Sequence, residues 1–334
     1  MAYLADERRY DGGMEYRRSG RSGVKMSALS LGFWHNFGGN ADFANAKAMM
    51  ERAFDRGITC FDLANNYGPP YGSAEDTFGK LMDASFRPYR DEMFITTKAG
   101  YDMWPGPYGN WGSRKYLMAS LDQSLARMRL DYVDLFYSHR YDPETPLEET
   151  LQALVDIVRQ GKALYVGISR YPKEAANFAC DYLAAHDVPC LCYQGRLNLL
   201  DRGDAAPDGI LARMAKRGVG YVGFSPLAEG LLSNRYLNGI PSDSRMARRE
   251  HLTPERLTPE LLARLRRFDS LARERGESLA TMSLAWILQH ADVTSVIVGT
   301  SRVEQLEENL KALDSPRFTE EQSSLFPVPT SPLM

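Results

Sequence analysis

Short runs of β-branched and apolar residues recur along the chain: "ALSLGF" (28–33), "TCFDLA" (59–64), "MFITTKA" (93–99), "YVDLFYSH" (132–139), "ALYVGIS" (163–169), "CLCYQGRL" (190–197), "GYVGFSPL" (220–227) and "TSVIVGT" (294–300). Between them lie longer segments whose apolar residues return every three to four positions, such as "ADFANAKAMMERAFDRG", "SRKYLMASLDQSLARMRL", "PLEETLQALVDIVRQG" and "VEQLEENLKAL". Several of these open at Asp, Ser or Pro and close in "RG" or "QG", as helices do. Near the start, "MEYRRSG" and "RSGVKMSA" flank a Ser/Gly turn and predict a β-hairpin. Eight strands alternating with helices predict an α/β fold, a (β/α)8 TIM barrel with an N-terminal hairpin. Strands covered on both faces read as near-continuous apolar runs, as these do. The competing open doubly wound sheet would carry a Gly-x-Gly-x-x-Gly turn after its first strand, and none is there. The expectation is one domain over residues 1–334, with 1–13 and 316–334 as flexible tails. Two long connections, 100–112 and 228–258, follow the third and seventh strands, at the end where barrels build their sites.

Composition narrows the class. With 334 residues and 44% hydrophobic content the chain can bury a large core. A formal net charge of -3 without a long Lys/Arg block argues against nucleic acid as a partner. The charged start, "MAYLADERRYDGG", does not read as a signal peptide. No apolar run approaches the roughly 18 residues of a membrane span. A soluble, cytoplasmic protein is expected. Cys60, Cys180, Cys190 and Cys192 form no CxxC pair and have no histidines at metal-ligand spacing, so reduced, packed thiols and no metal are expected. Strand alternation predicts that Cys190 and Cys192 face the same way.

Placed on this barrel, four ionisable side chains meet at the strand C-termini: Asp62, Tyr67, Lys98 and His139. Each alone has an ordinary structural explanation, as cap, loop aromatic, strand end or core histidine. Together, abutting apolar runs, they point to proton transfer onto a carbonyl oxygen, since unpaired buried charges are costly. A neighbouring Lys98 ammonium is expected to lower the Tyr67 pKa, Asp62 to hold Lys98, and neutral His139 to orient the carbonyl. No side chain here is a reductant, so hydride has to come from a bound cofactor.

"FDLANNYG", "TTKAG" and "LFYSHR", with spacings of 5, 31 and 41 residues between the four groups, resemble the catalytic tetrad of the aldo-keto reductases. The resemblance runs from about residue 14 to 315. "KAGYDMWPGPYG", "SRKYL", "LDQSL", "YVGIS" and "SRVEQLEEN" look most like the bacterial L-glyceraldehyde 3-phosphate reductase branch, with the potassium channel β subunits more distant. It implies NADP(H) across the barrel mouth and a small-molecule carbonyl substrate. Ser169 and Gln194 would hold the carboxamide, with Phe224 against the nicotinamide ring. Ser225, Leu227 and Gly230 would follow the pyrophosphate, with Arg235 where relatives often carry lysine. Ser301 resembles a 2'-phosphate ligand, with Arg302 and Arg245 as helpers, and Gln305, Glu308 and Asn309 resemble adenine contacts. Trp34, Arg170 and Gly299 complete the set. Ser301 and Glu304 also read as a capping box whose helix end would favour an anion. The family further implies a homo-oligomer, a tetramer or larger.

Arg170, the pair Gly195 and Arg196, and the Pro-rich tail "SSLFPVPTSPLM" depart from the family's usual pattern. They bear on the substrate and on closure of the pocket. Arg140, Arg170 and Arg196 are the candidates to grip a substrate phosphate. Two other readings stand beside a reductase: a coenzyme-binding regulatory subunit with slow turnover, and a lyase using Lys98 as a Schiff base.

Overall fold

The computed structural model describes residues 3–249 and 252–326; positions 1, 2 and 327–334 of the expected tails lie outside them. A hairpin, β1 (Tyr16–Arg18) and β2 (Lys25–Ser27), precedes eight strands: β3 (Leu29–Gly32), β4 (Cys60–Asp62), β5 (Phe94–Ala99), β6 (Val133–Ser138), β7 (Ala163–Ser169), β8 (Cys190–Arg196), β9 (Gly220–Phe224) and β10 (Val293–Val298). These eight pair in parallel, in chain order, and β10 closes on β3. The helices between them are α1 (Phe43–Asp55), α2 (Ser73–Leu81), α3 (Arg114–Met128), α4 (Leu147–Arg159), α5 (Lys173–Ala185), α6 (Ile210–Arg217), α7 (Pro259–Glu274) and α8 (Leu279–Leu288). After β10 come α9 (Val303–Leu310) and a short α10 (Glu320–Ser324). The barrel and hairpin are those the hydrophobic pattern predicts, and the predicted punctuation holds at α1 and α3, capped by Asp42 and Ser113.

Apolar packing falls into two regions. One lies between strands and helices and takes in most buried side chains. The other fills the barrel interior, where Cys60, Leu135, Tyr137, Cys192, Val222 and Ile297 surround Met26 of the hairpin. Ser19, in the hairpin turn, bonds to Leu191 O and lies 3.0 Å from Cys192 Sγ. The hairpin therefore stops the N-terminal end of the barrel interior. Residues before it pack on the outer wall: the Tyr3 hydroxyl donates to Asp55 at 2.7 Å, and its ring lies against Phe86. At the other end, Phe326 is buried against Phe268 and Trp286.

Cys190 and Cys192 do not face the same way. Cys190 belongs to the outer region with Cys180 of α5, its thiol donating to Cys192 O at 3.5 Å, whereas Cys192 is inside the barrel beside Met26. The pairing of β7 with β8 shifts by a residue between Val166/Cys190 and Gly167/Cys192. Such a bulge breaks the two-residue alternation on which the expectation rested. All four cysteines are buried and free.

Candidate active site

Register places the tetrad. Asp62 ends β4 opposite Thr96 of β5, and Lys98 lies two residues beyond Thr96 on the same, inward face. Thr97, between them, points outward, where its hydroxyl donates to the buried Glu75 of α2 at 2.6 Å. Glu75 also accepts from Arg127 of α3 at 2.8 Å, fixing both helices to β5 behind the site. His139 directly follows β6, and Tyr67 comes from the β4–α2 loop.

The four groups converge. The Lys98 ammonium, with no exposed side-chain surface, donates to Asp62 Oδ2 at 2.6 Å, Leu63 O at 2.6 Å and Tyr67 Oη at 3.2 Å. The other Asp62 oxygen accepts from Thr96 Oγ1 at 2.8 Å and Gln194 Nε2 at 3.0 Å. All three donors of the ammonium are used and the carboxylate is held at both oxygens, so burial leaves neither charge unpaired. The His139 ring stands 6.0 Å from that of Tyr67 and 4.7 Å from that of Tyr101, and its buried Nδ1 has no partner among the described residues.

The electrostatics correct one expectation. Burial pushes the Tyr67 hydroxyl above its ordinary pKa; Lys98 pulls it down but does not overcome the loss of water, to which Asp62 adds. Tyr67 is thus held protonated, a donor by default. Burial draws Lys98 down, but Asp62 and Tyr67 more than offset this and leave it above the usual lysine range. A fixed ammonium is no amine nucleophile, which argues against the Schiff-base reading. Burial, with Lys98, Arg170 and Arg140, lowers His139 far below the usual histidine value, so its imidazole is neutral.

Tyr67 and His139 open into a cleft of about 1280 Å³ across the barrel mouth. Its walls include Trp34, Ser169, Arg170, Gln194, Phe224, Ser225, Arg245 and Ser301, eight of the residues expected at a cofactor. Ser301 follows β10 and His139 follows β6, four strands away in either direction around the closed barrel, so the cleft spans the whole mouth. Arg245 lies 5.9 Å from the Trp34 ring, and the Trp34 and Tyr67 rings are 6.5 Å apart. Ser169 Oγ donates to Gln194 O at 3.0 Å, and Ser225 O accepts from Asn198 at 3.0 Å.

Eight other expected contacts lie off this wall. Leu227 and Gly230 are in the loop after β9, and Arg235 is paired with Asp243 at 3.0 Å. Gly299 follows β10 and faces open space, since a Cβ there would meet nothing within 4 Å. Arg302 lies 3.8 Å from Glu304. Glu308 pairs with Lys311 and accepts from Thr281, while Asn309 is buried with its amide nitrogen unpartnered among the described residues. Ser301 and Glu304 do not form the expected capping box. Helix α9 starts at Val303 with Arg302 as an uncapped N-cap, and Gln305 Oε1 instead accepts from the Ser301 N–H (2.8 Å) and hydroxyl (3.1 Å). The start is one residue later than the motif required.

Arg248, Arg249, Asn36, Asn40 and Asn45 also line the cleft. The basic run "RMARR" and the Asn-bearing "HNFGGNADFAN" were the signals available for them. Five arginines and two carboxylates, Asp42 and Glu229, stand on the wall. An aromatic-lined trench with a tyrosine donor at one rim and arginines, amides and a serine hydroxyl towards the other fits a long, anionic ligand with a planar head, as a nicotinamide dinucleotide is. Among the described residues no helix is long and apolar enough to cross a membrane and no cluster could hold a metal.

Residues 28–326 match the pattern described as the aldo/keto reductase family. The chain is 54% identical over 326 residues to an L-glyceraldehyde 3-phosphate reductase of Escherichia coli O157:H7, covering 96% of this chain and 94% of that protein. The corresponding Escherichia coli K12 protein is likewise 54% identical, covering 96% and 93%. A probable voltage-gated potassium channel subunit beta of Oryza sativa subsp. japonica is 35% identical, covering 90% and 92%.

Proposed function

The chain belongs to the aldo/keto reductase family, and on that footing we propose that it reduces an aldehyde to an alcohol with NADPH, L-glyceraldehyde 3-phosphate being the favoured substrate. The observation that carries this reading is the hydrogen bond from the buried Lys98 ammonium to the Tyr67 hydroxyl, beside a neutral His139 at the foot of the cleft. Tyr67 holds its proton until a carbonyl oxygen gains negative charge and then gives it up. The Lys98 hydrogen bond stabilises the phenolate as it forms, and Asp62 keeps Lys98 aimed at that oxygen. The neutral imidazole of His139 donates to the carbonyl oxygen and fixes its approach without supplying a competing acid.

A reduced nicotinamide, when bound, supplies the hydride to the carbonyl carbon. Ser169, Gln194 and Phe224 would hold its head, Ser225, Leu227, Gly230 and Arg235 its pyrophosphate, and Gln305, Glu308 and Asn309 its adenine. Gln194 already donates to Asp62, so its amide ties the coenzyme end of the site to the proton-transfer end. Ser301 with Arg245, and with Arg302 outside the wall, supports a 2'-phosphate and hence NADP(H) over NAD(H). The substrate preference is supported by the 54% identity to two reductases of that name, against 35% to the channel subunit. A single catalytic domain, a cytoplasmic location and assembly into four or more copies belong to the same proposal; light scattering tests the last. The function is tested by steady-state kinetics with NADPH, and NADH as control, against aldehydes that include L-glyceraldehyde 3-phosphate. A marked preference for that pair is expected, and absence of NADPH oxidation with every aldehyde overturns the reading.

A further inference from the structure

Three arginines stand near the catalytic end of the mouth, and their surroundings differ. Arg140 is held from several sides: its guanidinium lies 3.5 Å from the Trp111 ring centroid and 4.2 Å from that of Tyr101, and it donates to Gly100 O at 2.7 Å and Asn110 Oδ1 at 2.9 Å. It clamps the 100–112 loop and does not line the cleft. Arg170 donates to the Tyr101 hydroxyl at 2.9 Å, and its backbone N–H to Gln194 O at 3.2 Å.

Arg196 is different. It ends β8 two residues beyond Gln194, whose side chain points inward to Asp62, so strand alternation aims Arg196 into the mouth directly above it. Gly195 confirms the facing: a Cβ there would run into Asp204 and Tyr221 on the opposite side. The half-buried guanidinium lies 5.6 Å from the Phe224 ring and, among the described residues, has no hydrogen-bond or ion-pair partner. Of the two carboxylates on the cleft wall, Asp42 accepts from the Ala44 N–H, and Glu229 lies 3.7 Å from Arg256, its Oε2 accepting no hydrogen bond among the described residues. A planar cation with its donor fork free and partly withdrawn from water is a receptor for a carboxylate or phosphate.

We propose that Arg196 anchors an anionic group, a phosphate foremost, at the far end of a short aldehyde whose carbonyl lies against Tyr67 and His139. The inference rests on the carbonyl-reductase reading and adds to it the residue that selects the phosphate of its substrate.

The test compares the parent with Arg196→Met and Arg196→Lys. With saturating NADPH, the ratio of kcat/KM for L-glyceraldehyde 3-phosphate to that for L-glyceraldehyde is measured for each. The methionine variant is expected to lower this ratio about 10- to 100-fold, mainly through KM, because a charge-assisted contact is lost. Lysine, which keeps the charge but not the fork, falls between. Calorimetric titration with glycerol 3-phosphate, with and without NADP+, should weaken by a similar factor in Arg196→Met. An unchanged ratio overturns the proposal. So does a methionine variant that weakens NADPH binding as much as glycerol 3-phosphate binding, since Arg196 would then serve the coenzyme. If the parent reduces neither aldehyde, the reductase reading fails, and the glycerol 3-phosphate titration still decides whether Arg196 binds the anion.

Discussion

Lys98→Met removes one half of a nearly water-free ion pair. The ammonium is wholly buried, the Asp62 side chain is 7% exposed, and they meet at 2.6 Å. At an effective dielectric of about 20 their attraction is roughly 6 kcal/mol, set against the cost of taking both from water. Methionine matches the lysine stem in bulk, so the main consequence is a stranded carboxylate held only by Thr96 and Gln194. A loss of about 3–5 kcal/mol in unfolding free energy is expected. Asp62→Leu, which strands the ammonium, should cost a similar amount. The double variant, leaving no buried charge of the pair, should lie within about 2 kcal/mol of the parent. Urea denaturation followed by circular dichroism gives each value, read from midpoints at constant slope. A double variant that loses the sum of the two single losses would show that the groups do not support one another, and the account of the buried pair would be wrong.

Other outcomes follow from the packing and from titration. A Cβ at Gly167 of β7 would stand 2.6 Å from the Tyr137 ring and 2.7 Å from Cys192 O, so Gly167→Ala should destabilise by about 1–3 kcal/mol in urea; a neutral result would mean the barrel interior has slack there. His139, whose pKa is depressed by burial, stays neutral in the folded chain while the unfolded chain takes up a proton below about pH 6.5. Its contribution to stability is therefore present above that pH and is lost as pH falls towards the folded value, at up to about 1.4 kcal/mol per pH unit. Thermal or urea unfolding of His139→Asn between pH 6.5 and 5.5 should show a slope shallower by about 1 kcal/mol, and an unchanged slope would contradict a buried neutral imidazole.

The barrel was legible because its strands are covered on both faces, so that each reads as one apolar run between helical periods. Asp62, Tyr67, Lys98 and His139 were legible because each interrupts or ends such a run. What escaped depends on register and on the balance of opposing effects. The bulge that parts Cys190 from Cys192 leaves no mark on composition. The start of α9 at Val303, rather than on the Ser301 motif, is decided by Gln305 reaching back to the serine. Proximity of Lys98 to Tyr67 was foreseeable, but the net direction of the tyrosine shift turns on how much water is excluded, which only packing sets. Among the three candidate arginines, the partners that occupy Arg140 come from a loop whose path no periodicity describes.

The most direct measurement is the turnover of Tyr67→Phe with NADPH and L-glyceraldehyde 3-phosphate, alongside its NADPH affinity. Removing one oxygen should leave NADPH binding within a few-fold of the parent and lower kcat by about 10²- to 10⁴-fold, the range for loss of a positioned proton donor. A phenylalanine variant that still reduces the aldehyde at the parental rate would show that the proton comes from elsewhere.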